Sequence, residues 1–273
     1  MSRTLETLAP ILLVAVLLGL WETACRLTGV PAYFLPAPSA VAAAMAQDWA
    51  LLLASAWKTL STALLALAFA SLIACSLALI ISTNRLLEKA VQPLAVALQV
   101  TPVVAIAPQV VIWAGLAHPD RAIVSLAVIV AFFPIFSGAL TGLKATDPDL
   151  ERLFDLYGAT RWQRLLRLRI PSATPFVLEG HKVAGGLAVI GAVVAEFVAG
   201  SGGSQGLAWR ILESSNRLQT AKTFAAVALL AVLAQWVPQW ITFGELSTGF
   251  AAVAGGLLMG AGMLMLFRHR ASL

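Results

Sequence analysis

The sequence predicts an all-α protein that crosses a membrane several times, with six core helices and a possible seventh hydrophobic segment. Three observations predict this. Of the 273 residues 60% are hydrophobic and 11% charged, and a mean hydropathy of +0.89 excludes an ordinary soluble domain. Uncharged runs long enough for a span of about 20 residues recur along the chain. Between two hydrophobic stretches lie residues 147–171, DPDLERLFDLYGATRWQRLLRLRIP, which carry Arg152, Arg161, Arg164, Arg167 and Arg169.

The net charge of +5 does not point to nucleic acid, because the basic residues sit in loops between apolar runs, where membrane topology accounts for them. Cys25 and Cys75 lie at the end of, or within, hydrophobic segments. They are expected to be small packing residues, not a disulfide or a metal pair.

The first span is expected at residues 8–26. It lacks a small-x-small cleavage signature before Pro31, so it is read as retained, not as a secretory signal. Glu22 falls at its far end beside the interfacial Trp21. Prolines 31, 36 and 38 then force an irregular crossing. Ser39 is expected to cap a short surface helix, 40–48. Residues 59–84 carry no charge and form the second span. The third uncharged run, 90–117, contains Pro93, Pro102 and Pro108 and is expected to be kinked. Its polar residues Gln99, Thr101 and Gln109 either bond across helices or line a pathway.

Residues 118–121 read as a tight polar turn, and 122–143 as the fourth span around Pro134. Within 147–171, Leu150, Leu153, Phe154 and Tyr157 recur on one helical face. Gly158 breaks the pattern, a second helix restarts at Arg161, and Pro171 is expected to end it. A fifth hydrophobic stretch begins at Thr174-Pro175 and runs to about Gly200. Glu196 lies near its far end. There it either reaches the aqueous face or acts as an intramembrane functional group. Residues 200–206, GSGGSQG, share only glycine content with a phosphate loop and read as a linker. An amphipathic piece, 207–218, precedes a sixth run, 223–243, expected to break at Pro238. A further apolar run spans 246–267.

With the N-terminus inside, ten Lys and Arg fall in inner loops and six in outer ones, the densest cluster being inside. Arg268 and Arg270 conflict with this if 246–267 spans the membrane, so the side of the C-terminus stays open. No metalloprotease, serine-hydrolase or nucleotide-binding signature is present. No catalytic residue, metal site or cofactor is therefore expected. The apolar face of 149–157 at an aqueous surface suggests a partner protein, while the arginines that follow either meet anionic lipid or anchor the next span. A stand-alone secondary transporter coupled through Glu196 is the rival reading.

The residues also carry a resemblance. Gly158, nine residues, then Leu168-Arg169-Ile170-Pro171 resembles the cytoplasmic loop of permease subunits in binding-protein-dependent ABC importers, in its G-x9-I-x-L-P form. Similar fragments, in the order found in the nitrate/sulfonate/taurine branch, are 34–41 (FLPAPSAV), Thr101-Pro102 to Trp113, Phe132-Phe133-Pro134 and Val194-Ala195-Glu196. The likeness runs from about residue 8 to 235. It departs at Arg152-Leu153-Phe154, where the family has Glu-Ala-Ala, with Glu151 adjacent, and it fades from Gln235 onward.

The resemblance implies a type I ABC importer fold: one permease domain over 1–273, with a coupling loop at 147–171 and an extension at 236–273. It implies a permease homodimer, two copies of a cytoplasmic ATPase, and a periplasmic or lipid-anchored substrate-binding protein. ATPase coupling is expected at Asp149, Glu151, Arg152, Leu153, Phe154, Tyr157, Gly158, Ala159 and Arg161. The pathway for a small solute (a sulfonate, nitrate, taurine or vitamin precursor) is expected at Gln99, Thr101, Gln109, Trp113 and Glu196.

Overall fold

The computed structural model describes residues 3–84, 86–87, 89–91, 93, 97, 102–115, 118–199 and 205–243. Gln99, Thr101 and the segment 246–267 lie outside them, and so does the question of a seventh span. Among the described residues there is no strand. The helices are α1 (Arg3–Thr28), α2 (Pro38–Gln47), α3 (Trp49–Ser82), α4 (Val103–Ala114), α5 (Pro119–Lys144), α6 (Pro148–Leu156), α7 (Arg161–Arg164), α8 (Ile170–Ala199), α9 (Leu207–Asn216) and α10 (Thr220–Phe243), with a π-helical turn, Leu165–Arg169, joining α7 to α8. Among the described residues four stretches are long and apolar enough to cross a membrane: Trp49–Ser82, Pro119–Lys144, Arg161–Val198 and Thr220–Pro238. The expected first span falls within α1.

The chain divides into two compact units, Met1–Lys58 with Gln205–Ala231, and Thr59–Ser204 with Val232–Leu273. In the first, Ser39 is not the cap of α2. That helix starts at Pro38 with Ala37 as its N-cap and no side-chain cap of its own. Glu22 of α1 supplies the missing acceptor, taking the Ser39 amide at 3.0 Å and its hydroxyl at 2.8 Å. A carboxylate at a helix start satisfies an orphan amide and complements the dipole. The loop before α2 is tied to α10 by the Thr220 hydroxyl donating to the Tyr33 carbonyl at 2.7 Å. Lys222 pairs with Asp48 at 3.1 Å, and Trp21 packs on Phe224 at 5.8 Å. In α9 the buried Arg210 donates to Ser55 at 3.1 Å and to Glu213 at 2.7 Å. This guanidinium bond holds the Glu213 carboxyl below the usual glutamate range.

α3 begins ten residues before the expected second span. At roughly 1.5 Å per residue its 34 residues reach about 51 Å, well beyond a hydrocarbon core of about 30 Å. The uncharged stretch marks only the part of the helix at membrane depth, and Lys58 does not end it.

In the second unit α5 and α8 form the main packing. Their backbones touch: a Cβ on Gly180 would lie 2.6 Å from the Pro134 carbonyl oxygen, and one on Gly138 would lie 2.6 Å from that of Phe176. Gly138 and Gly142, four apart, form the small-residue stripe that lets membrane helices approach this closely. Ala66, Ala127 and Ala192 extend the seam to α3. α4 packs Val103, Ile106, Ala107, Val110 and Val111 against Ile123, Leu126, Ala195 and Val198. Pro102 is the N-cap of α4, so the third uncharged run is interrupted there, while Pro108 lies inside the helix.

Two expected breaks are absent. α10 continues through Pro238, losing one ladder bond at Ala234 without ending the helix. Pro171 does not stop the helix after Gly158 either; it lies in the first turn of α8. The turn before it is widened, with the Ile170 amide bonding the Leu165 carbonyl five residues back. Such a π turn absorbs the strain that a proline ring would place on a regular ladder.

Candidate functional site

The segment 147–169 is built from strong local signals. Asp147 caps α6, its carboxylate taking the Asp149 amide at 2.8 Å, and Pro148 occupies the first helical position, where its missing amide costs nothing. α6 ends in a Schellman motif: the Ala159 amide bonds the Phe154 carbonyl at 2.9 Å and the Gly158 amide bonds that of Asp155 at 3.0 Å. The motif needs a left-handed residue after the helix, and Gly158 has φ +62. α7 then opens with a capping box. The Thr160 hydroxyl takes the Gln163 amide at 3.3 Å, and the Gln163 side chain takes the Thr160 amide at 2.8 Å.

The two short helices are bolted together across the glycine. Arg169 reaches Glu151 with Nη2 at 2.8 Å and Nε at 3.0 Å. Arg164 pairs with Asp155. Arg152 pairs with Asp149 at 3.0 Å, on the open surface. Beside these pairs is a groove of about 290 Å³, lined by Leu153, Phe154, Tyr157, Ala159, Gln163 and Arg167. Leu156 and Tyr157 are more than four-fifths exposed, and Leu150 and Leu153 are exposed too. An aqueous loop gains nothing by showing these side chains to water.

Of the residues expected in this site, Leu153, Phe154, Tyr157 and Ala159 line the groove and Gly158 sets the turn. Asp149, Glu151 and Arg152 are in ion pairs within the loop, and Arg161 is exposed at the start of α7. Gln163 and Arg167 line the groove without having been anticipated. The Thr160-x-x-Gln163 box was the readable sign for the first. Nothing in the spacing marks the second.

The expected pathway residues divide. Gln109 and Trp113, one turn apart, share the exposed face of α4 opposite its packed one. Glu196 does not reach an aqueous face. It is 1% exposed and accepts from the Thr59 hydroxyl of α3 at 3.3 Å. A polar contact that sequence reasoning did not foresee joins α3 to α8: His181 Nδ1 meets the Val177 carbonyl at 2.7 Å, and its Nε2 faces the Ser71 hydroxyl at 2.8 Å. The carbonyl fixes the proton on Nδ1, so Ser71 donates to Nε2.

Residues 66–243 match the family described as binding-protein-dependent transport system inner membrane component. The chain is 34% identical to the formylaminopyrimidine transport permease protein ThiX of Halalkalibacterium halodurans, over 85% of this chain and 91% of that one. It is 34% identical to the riboflavin transport system permease protein RibX of Chloroflexus aurantiacus, over 80% of each. To the taurine transport system permease protein TauC of Escherichia coli it is 27% identical, over 81% of each.

Proposed function

The chain belongs to the family of binding-protein-dependent transport system inner membrane components, and on that premise we propose that its groove beside Gly158 seats the ATPase that drives it. The chain is an ABC importer permease of the type I fold, a multi-pass inner-membrane protein that works with an ATPase and a substrate-binding protein. This membership takes ATP-driven import over the secondary-transporter alternative.

The single observation that carries the proposal is the groove lined by Leu153, Phe154 and Tyr157 on a loop locked by Gly158 and two ion pairs. A rigid knob-and-groove contact can pass a push from a soluble motor into α8, because α7, the π turn and α8 run on as one stretch. In this reading Glu151, Asp155, Arg164 and Arg169 hold the loop's shape, and Asp149, Arg152 and Arg161 rim it. ATP-driven closure of two ATPases would move two such loops, one on each copy of a homodimer, and switch the side to which the pathway opens. The whole chain acts as one permease domain, with its N-terminus and residues 147–169 on the cytoplasmic side and its basic loop against membrane lipid. Gln99, Thr101, Gln109, Trp113 and Glu196 belong to the pathway or its supporting wall. The cargo is a small solute, and a heteroaromatic vitamin precursor is favoured over a sulfonate because the pyrimidine and riboflavin permeases are the more similar relatives.

Side-selective labelling tests the proposal. Both native cysteines are buried, so a Tyr157→Cys variant carries the accessible thiol. It is expected to react with an impermeant maleimide only from the cytoplasmic side, and to be shielded when the ATPase is bound. Labelling from the outside would refute the coupling role.

A further inference from the structure

The acids of α6 are already engaged. Glu151 is held by Arg169 and Asp155 by Arg164, both partly sheltered pairs. Asp149 has Arg152, and Asp147 caps the helix. The cations that follow Gly158 are not all engaged. Among the described residues Arg161 and Arg167 have no ion-pair partner, and Arg167 lines the groove that Phe154 and Tyr157 also line. The local charge offered to a docking partner is therefore positive, even though the loop carries as many as four acids, Asp147, Asp149, Glu151 and Asp155.

We propose that the groove takes an acidic side chain of the ATPase against Arg167, so that the charge order at this contact is cation on the permease and anion on the ATPase. The inference rests on the coupling role proposed above and names the chemistry of the partner at that site. It makes Glu151 a brace and not a contact: its carboxylate receives two guanidinium nitrogens from its own chain at 2.8 and 3.0 Å. A carboxylate so occupied would have to give up a charge-assisted pair before it could meet a partner cation. Arg167 gives up nothing. A guanidinium in a groove that also carries two aromatic side chains suits a carboxylate that approaches with apolar neighbours, since guanidinium both stacks on rings and binds carboxylates bidentately.

The test is retention of the ATPase by tagged full-length permease purified with it in detergent, each variant first shown to be monodisperse. Arg167→Glu is expected to cut retention by roughly tenfold or more, since a like-charge pair at an interface is strongly disfavoured. Arg167→Gln is expected to give a smaller loss. The exchange variant, Glu151→Arg with Arg169→Glu, keeps the brace with its polarity reversed and is expected to retain the ATPase. A lysine in place of one acidic residue on the ATPase is expected to restore binding to Arg167→Glu. Leu153→Asp tests the underlying seat. If Leu153→Asp retains the ATPase, the coupling role itself fails. If Leu153→Asp loses the ATPase while Arg167→Glu keeps it, or if the exchange variant loses it, only the charge order proposed here is overturned. Loss with Arg167→Glu in vesicles of anionic lipid, but not in neutral phosphatidylcholine, would make Arg167 a headgroup contact and overturn it as well.

Discussion

Arg169 and Glu151, 18 residues apart, meet across the Gly158 turn at 2.8 Å and fix the angle between α6 and the start of α8. Neither side chain is fully buried, so the pair contributes on the order of 1 kcal/mol or less to overall stability. Its effect is on local geometry. Glu151→Ala is expected to leave the unfolding temperature nearly unchanged while amide exchange in α6 accelerates several-fold. Hydrogen-exchange mass spectrometry of the two proteins checks this. Equal protection of α6 would mean that the pair does not hold the loop.

Gly158 is required for its backbone and not for space. A Cβ there would meet nothing within 4 Å, but φ is +62. Gly158→Val therefore costs about 1–2 kcal/mol from the left-handed conformation alone and breaks the Schellman turn. ATP-dependent uptake is expected to fall sharply while the assembled complex still hydrolyses ATP. Gly158→Asn, which tolerates this conformation, is expected to keep most uptake. Full uptake by the valine variant would remove the turn from the mechanism.

α8 gives a contrast of two glycines, Gly180 facing α5 and Gly186 facing α10. Gly180→Ala places a methyl 2.6 Å from a backbone oxygen and must push the helices apart, whereas at Gly186 the nearest atom is 3.7 Å away. Overpacking of this kind costs typically about 1–3 kcal/mol. Gly180→Ala is expected to lower the yield and thermal stability of the folded protein in detergent, and Gly186→Ala to leave both unchanged.

Glu213 provides a pH signature. Its folded carboxyl lies below the ordinary value because Arg210 bonds the charged form. The stabilisation is fully present above the unfolded value of about 4.3 and is lost as pH falls through the lower, folded value. Wild type is therefore expected to outlast Glu213→Gln in thermal unfolding at neutral pH. The gap should close in strongly acidic buffer. A gap that stays constant with pH would assign the difference to packing.

Much of this architecture was readable because the membrane and the helix termini impose simple rules. A charge-free run located the α5 span and a hydrophobic stretch with few charges located α8, and Gly158 with the apolar set Leu153, Phe154 and Tyr157 located the groove. The failures share a physical cause: single-residue cues were outweighed by tertiary partners. Ser39 looked like a cap, but Glu22 from another helix supplies the acceptor. Pro171 and Pro238 looked like stops, but a π turn and a continuing apolar helix carry the chain past them. Lys58 looked like the edge of a span, yet α3 extends beyond membrane depth, where a lysine is inexpensive. Glu196 stands near the end of a span, a position that suggests contact with water, but it is buried and bonded to Thr59 of α3. No spacing rule reveals such ion pairs as Glu151–Arg169, because they depend on how sharply the chain turns at Gly158.

The central claim is that this chain imports its solute only when an ATPase pushes on the loop at Gly158. Uptake into proteoliposomes loaded with ATP, measured with and without the ATPase and binding protein, tests it most directly. The account predicts solute accumulation only with ATP, ATPase and binding protein all present, and its loss in Leu153→Asp. Uptake by the permease alone at the same rate, with no nucleotide, would contradict it.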